Sequence, residues 1–207
     1  MTHLLVYGDS NSHGSLPRSA WGDLPRMDDA TRWPGQLAAA LGQGWKVTVE
    51  ALPGRTIALD DPGHGEWRNG LRVLPAALLS HAPIDIVAIM LGTNDLQSKY
   101  GMRALDVADN ARRMLREVTV HMPGATRLLI APPPPVAAGL YVDFYHDAQA
   151  RGAGLAAHMG RVAAEEGCAF FDAGGVVSVD PEDGVHLRPP AHAALARALT
   201  PVIRGLA

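Results

Sequence analysis

Along this chain, short β-branched or apolar runs alternate with longer stretches in which apolar residues return every three or four positions. The runs lie at Leu4–Tyr7, Lys46–Ala51, Ile84–Leu91, Arg127–Ala131 and Ala169–Phe171. The near-continuous apolar runs, clearest at Ile84–Leu91, predict strands of a parallel sheet buried on both faces. The helical spacing predicts a helix over 33–42 and another from Asn69, an N-cap residue, to His81, with Leu71, Leu74 and Leu78 on one face. A third carries Leu105, Ala108, Ala111, Leu115 and Val118, a fourth covers 142–166, and the last runs from Pro189 to Arg204 with Ala191, Leu195, Ala198 and Val202 on its stripe. Alternating strands and helices predict a right-handed, doubly wound α/β/α sandwich around a five-stranded parallel sheet. One domain is expected over 1–207, with ligands bound outside the carboxyl ends of the strands. Three loops break the rhythm: 13–31, 53–68 and 132–140, the last beginning with four prolines. Long loops above a sheet often carry function.

Composition narrows the class. Of 207 residues, 47% are apolar and 19% charged, as in an ordinary globular protein. The formal net charge of −3 carries no basic footprint, so no nucleic-acid partner is expected. One cysteine, Cys168, cannot form an internal disulfide and reads as a buried apolar residue. No apolar run reaches transmembrane length, and the opening residues lack a signal-peptide pattern. A cytoplasmic protein with no membrane partner is expected.

Four segments could carry chemistry. Gly8-Asp9-Ser10 follows the first strand, where a serine hydroxyl can face the ligand crevice; a plain turn or helix cap would use the same residues. Gly92-Thr93-Asn94-Asp95 follows the third strand, a frequent neighbour of the first, so Asn94 should face Ser10 and could donate to a developing oxyanion. Asp183-Gly184-Val185-His186 precedes the last helix. A serine nucleophile needs a base and the base an orienting acid, and a spacing of three can bring the Asp183 carboxylate to His186 Nδ1. After the second strand, Gly54 could present its backbone N–H to a ligand, although a glycine there is usually only a turn.

Together these segments resemble the SGNH, or GDSL, hydrolase superfamily, whose blocks are Gly-Asp-Ser, a later Gly, Gly-x-Asn-Asp and Asp-x-x-His. All four occur in order between residues 8 and 186. The fourth letter of the first block, usually Leu, is Asn11 here. The resemblance implies a flavodoxin-like SGNH fold, with Ser10 as nucleophile, His186 as base and Asp183 as its orienter. The Ser10 and Gly54 N–H groups and Asn94 would form the oxyanion hole, with Asp9, Asn11, Arg55, Thr93 and Asp95 supporting them or near the substrate. Ala51-Leu52-Pro53-Gly54-Arg55-Thr56, Asp60-Asp61-Pro62, Arg68-Asn69-Gly70 and the stretch from Ile89 to Leu96 look like the bacterial arylesterase and acyltransferase branch. That branch implies short acyl or aryl esters as substrates, water or an alcohol as acceptor, a homo-oligomer, and neither metal nor organic cofactor. A carbohydrate acetyl esterase, thioesterase or lysophospholipase of the same superfamily is the alternative.

Other readings explain less. A metallophosphoesterase could conscript Asp9, Asn94, Asp95 and His186, but no second histidine pair has ligand spacing. A flavodoxin-like binding module would leave the Ser, Asn and Asp-x-x-His set unexplained, and an α/β-hydrolase would need a Gly-x-Ser-x-Gly elbow. Asp60 and Asp61 read as loop caps, His192 as structural and Trp33 as a packing or interface residue. Arg55 either holds its loop or touches substrate, and Trp21 is open between an interface role and a substrate platform.

Overall fold

The computed structural model describes residues 1–22 and 25–207; Asp23 and Leu24, within the 13–31 loop, lie outside the described residues. Five parallel strands, β1 (Thr2–Gly8), β2 (Trp45–Ala51), β3 (Ile86–Met90), β4 (Thr126–Ala131) and β5 (Ala169–Asp172), form one sheet in the order β2-β1-β3-β4-β5. Tyr7 pairs with Ile89 and Gly8 with Met90, so the first and third strands end side by side. The loops that carry Ser10 and Asn94 therefore leave neighbouring strands at the same edge. The edge strands β2 and β5 are only half-buried, whereas β3 is buried throughout.

Side chains alternate across the sheet and divide the core in two. Leu5, Tyr7, Val87, Ile89 and Leu129 pack under α3 (Gly70–His81), α4 (Ala104–His121) and the helix Leu155–Glu165. Leu4, Val6, Ile86, Ala88, Met90, Leu128 and Ile130 pack under α2 (Trp33–Leu41) and the helix Pro189–Arg204. Burying one such aliphatic side chain contributes about 1.5–3 kcal/mol, so these two layers supply most of the stabilisation.

Three helical expectations need correction. The continuous helix predicted over 142–166 is three pieces, α5 (Val142–Tyr145), α6 (Ala148–Arg151) and α7 (Leu155–Glu165). Gly154, at φ 77°, caps α7 in the left-handed region, which a continuing right-handed helix cannot contain. The stripe on α8 (Pro189–Arg204) is turned by about one residue: Leu195 is buried as expected, with His192, Ala196, Leu199 and Ile203, while Ala191 and Val202 pack half-buried at its margin and Ala198 is half-buried. In α4, Leu105 points outward at 46% exposure, and Ala104 and Val107 take its place in the core. Trp33 is fully buried at the start of α2, so it packs the interior. No helix is long and apolar enough to cross a membrane among the described residues.

Candidate active site

The chain leaves β1 through Gly8 and enters a one-turn helix, α1 (Ser10–His13), capped by the Asp9 carboxylate, which accepts from the Asn11 N–H. The turn is tight: a Cβ built on Gly8 would stand 2.3 Å from Ser12 Oγ. Ser10 is the first residue of this helix, so its N–H lacks an intrahelical acceptor and is suited to an anionic ligand atom.

His186 sits on the loop before α8. Its Nδ1 is 2.7 Å from Asp183 Oδ2, and its backbone N–H donates to Asp183 Oδ1 at 2.9 Å. Asp183 is fully buried and His186 nearly so. Burial pushes the Asp183 carboxyl up, but the hydrogen bonds and charge of His186 outweigh it and hold the group below the usual carboxylate range. With Nδ1 engaged, Nε2 is the nitrogen left for the cavity. The 132–140 loop buttresses this segment: Val136 N–H donates to Gly184 C=O and Leu140 N–H to Glu182 C=O.

Asn94 follows β3. Its amide donates to the Arg55 carbonyl at 3.0 Å, while its oxygen accepts from Gln97 at 3.2 Å and lies 3.4 Å from the Tyr145 hydroxyl. These contacts fix which way the amide faces. Thr93, just before it, is buried. Asp95 accepts twice from the Ile57 N–H, at 3.1 and 3.0 Å, and so ties the Gly54 loop to the end of β3. Arg55 is buried and donates to the Gly8 and Glu50 carbonyls at 3.1 and 2.6 Å, with its guanidinium 4.2 Å from the Tyr7 ring. It therefore holds its loop rather than lining the cavity. Burial raises the Asp9 carboxyl to about 6 and that of Asp95 to about 7.

Ser10, Gly54, Asn94 and His186 meet at one cavity of about 280 Å³, whose wall also includes Arg18, Trp21, Arg68, Lys99, Tyr141, Phe144 and Tyr145. A larger depression of about 580 Å³ lies between α2 and α8, but residues such as Gln36, Ala40 and Ala196 line it without a nucleophile–base pair. Asp9, Asn11, Arg55, Thr93 and Asp95 lie behind the cavity.

Several contributors carry no motif. Arg18 donates its backbone N–H to Asp183 Oδ2 at 3.3 Å and its Nε to the Tyr141 hydroxyl at 3.0 Å. Tyr141 in turn sets its ring edge-on to His186, with centroids 5.8 Å apart. Trp21 and Phe144 complete an aromatic cluster with Tyr141. The only signal for it in the sequence is the closeness of Tyr141, Phe144 and Tyr145 after the proline-rich loop.

The remaining candidates fall elsewhere. Asp60 pairs with Arg72 and Asn69, and Asp61 with Arg68, Lys99 and His64, so these are ion-pair centres more than simple caps. His192 accepts from the Trp33 N–H at 3.1 Å, and burial lowers its pKa to about 4, as suits a neutral structural imidazole. Burial pushes the half-buried Cys168 thiol up to about 11, which makes it a poor nucleophile. No group of three or more His, Cys, Asp or Glu side chains that could hold a metal ion occurs among the described residues.

Comparison with known proteins gives the lineage. Comparison with curated protein sequences finds no match. The aryl esterase of M. smegmatis superposes with a TM-score of 0.95 at 30% identity over 100% of both chains. Est24, a carbohydrate acetylesterase from Sinorhizobium meliloti, gives the same values. A candidate arylesterase from Agrobacterium tumefaciens is 38% identical, with a TM-score of 0.88 over 100% of both chains. The model of the GDSL-like lipase/acylhydrolase family matches residues 6–194. The chain belongs to that family, and it is a hydrolase of the SGNH esterase type.

Proposed function

We propose that this hydrolase cleaves short acyl or aryl esters through an acyl-enzyme on Ser10. The observation that carries the reading is the buried Asp183–His186 pair, which opens on the same cavity as Ser10, Gly54 and Asn94. Ser10 Oγ attacks the ester carbonyl and gives its proton to His186 Nε2. Asp183 holds the imidazole in the required tautomer and stabilises its charged form. The tetrahedral oxyanion accepts from the Ser10 and Gly54 N–H groups and from the Asn94 amide, donors fixed in advance of the reaction. The carbon–oxygen bond to the leaving group breaks and the alcohol departs with the proton from His186. Water, or a second alcohol, then gives its proton to His186 and attacks the acyl carbon, which restores Ser10. Asp9, Asn11, Arg55, Thr93 and Asp95 support these groups from beneath.

The small cavity and its aromatic wall favour short acyl and aryl esters, and the aryl esterase neighbour supports the same class. Sugar acetates are the second reading, supported by the carbohydrate acetylesterase neighbour. Ser10→Ala should abolish 4-nitrophenyl acetate cleavage; wild-type turnover in that variant would overturn the mechanism. Adding an alcohol series to the same assay reads the split between hydrolysis and transfer. We also propose a homo-oligomer, supported by the exposed Trp21, Trp67, Leu79 and Phe144, and light scattering tests it. A cytoplasmic location is proposed on the lone cysteine alone.

A further inference from the structure

The cavity beside Ser10 carries charge that the ester chemistry above does not use. Arg18, Arg68 and Lys99 line it as fixed cations, and no carboxylate does among the described residues. The chain as a whole is acidic, at −3, so this wall is a local inversion of sign.

Arg68 lies beside the Gly54 segment of the cavity wall. Its guanidinium lies against Gly54, where an added Cβ would be 2.8 Å from Cζ and Nη1. The side chain is 19% exposed, and its Nε has no hydrogen-bond partner among the described residues. Lys99 reaches the same carboxylate as Arg68: Asp61 is 3.1 Å from Arg68 Nη1 and 3.1 Å from Lys99 Nζ. Asp61 is almost fully buried and does not line the cavity. One negative charge therefore serves two fixed positive ones, and the excess faces the space where substrate must lie. A cleft lined by one sign of charge concentrates ligands of the other sign, and an arginine fork pairs well with a planar oxyanion.

We infer that the site selects esters bearing a small oxyanion, a carboxylate or phosphate, that Arg68 and Lys99 receive while the acyl carbon is held at Ser10. This inference rests on the esterase reading and adds the substrate class. It assigns Arg68 and Lys99 to substrate binding. The hydroxyl-bearing and aromatic side of the wall would take the remainder of the ester.

The test compares matched esters: 4-acetoxybenzoate with 4-acetoxybenzamide, 4-acetoxyphenyl phosphate with its dimethyl ester, and monophenyl adipate with methyl phenyl adipate. The first two place the oxyanion on the leaving group as carboxylate or phosphate, and the third places it on the acyl chain. After correction for alkaline reactivity, kcat/KM should favour the anionic member of at least one pair by about tenfold or more. That ratio should fall towards one in Arg68→Gln and in Lys99→Met, survive largely in Arg68→Lys, and shrink in high salt. The ratio is taken within one protein, so a general loss of activity cancels, and Lys99→Met serves if Arg68→Gln fails to fold. Ratios near one for every pair in the wild type, or a preference unchanged in both neutral variants, would overturn the inference. Turnover of the neutral esters, lost in Ser10→Ala, checks the esterase reading separately. No turnover of any ester would sink both.

Discussion

Asn11 brackets His186: its side chain donates to the Val185 carbonyl at 3.1 Å and accepts from the Leu187 N–H at 3.1 Å. The residue after the serine thus fastens the histidine loop to the Ser10 turn, across 176 positions of sequence in the second bond. A leucine there, the usual residue of this block, could make neither bond. Asn11→Leu should leave two buried backbone groups without partners and cost about 1–3 kcal/mol in urea unfolding. Because His186 loses its brace, kcat should fall more than KM rises. Unchanged kcat together with unchanged stability would show that the clamp does nothing.

Asp183 bonds His186 through both ring and backbone. Asp183→Asn can keep the backbone bonds but favours the wrong imidazole tautomer. A fall in kcat of about 10⁴ is expected with the circular dichroism spectrum preserved, the pattern seen when a triad acid becomes an amide. A loss below tenfold would assign Asp183 a structural role only.

Removing the Asn94 amide by Asn94→Ala should lower kcat by about 10²–10³ with little change in KM, since the donor acts on charge that develops only in the transition state. Equal rises in KM at constant kcat would instead mark Asn94 as a ground-state contact.

Asp95 gives a pH signature. Burial raises its carboxyl from the ordinary aspartate value, about 4, to about 7. Between about pH 4 and about pH 7 the native state holds a proton that the unfolded chain has released, so raising the pH through that window costs stability. Asp95→Asn keeps an acceptor for the Ile57 N–H and cannot ionise. Its melting temperature relative to wild type should therefore climb from pH 5 to pH 8. A flat difference would mean that Asp95 is ionised in the native state throughout.

The sheet was legible because β1, β3 and β4 are apolar at nearly every position, and only burial on both faces explains such runs. Neighbouring first and third strands bring Ser10 and Asn94 to one edge, as the sequence pattern alone implies. The Asp183–His186 pair was legible from its spacing alone. The helix over 142–166 was misread because its apolar positions keep helical spacing across a break that Gly154 imposes. Arg18, Arg68, Lys99 and Tyr141 could not be read as wall residues: each comes from a different loop, and only tertiary structure brings them together. The bracket that Asn11 makes was equally hidden, since its partners are backbone groups with no sequence signature.

The central claim is that Ser10 carries the acyl group. Acid quenching within milliseconds of mixing with 4-nitrophenyl butyrate, followed by peptide mass spectrometry, tests it most directly. A mass increase of one butyryl group on Ser10, absent from Ser10→Ala and accumulating in Asp183→Asn no faster than its product burst, is the predicted result. Full wild-type turnover with no acyl group on Ser10 at any time, or an acyl group on another residue, would contradict it.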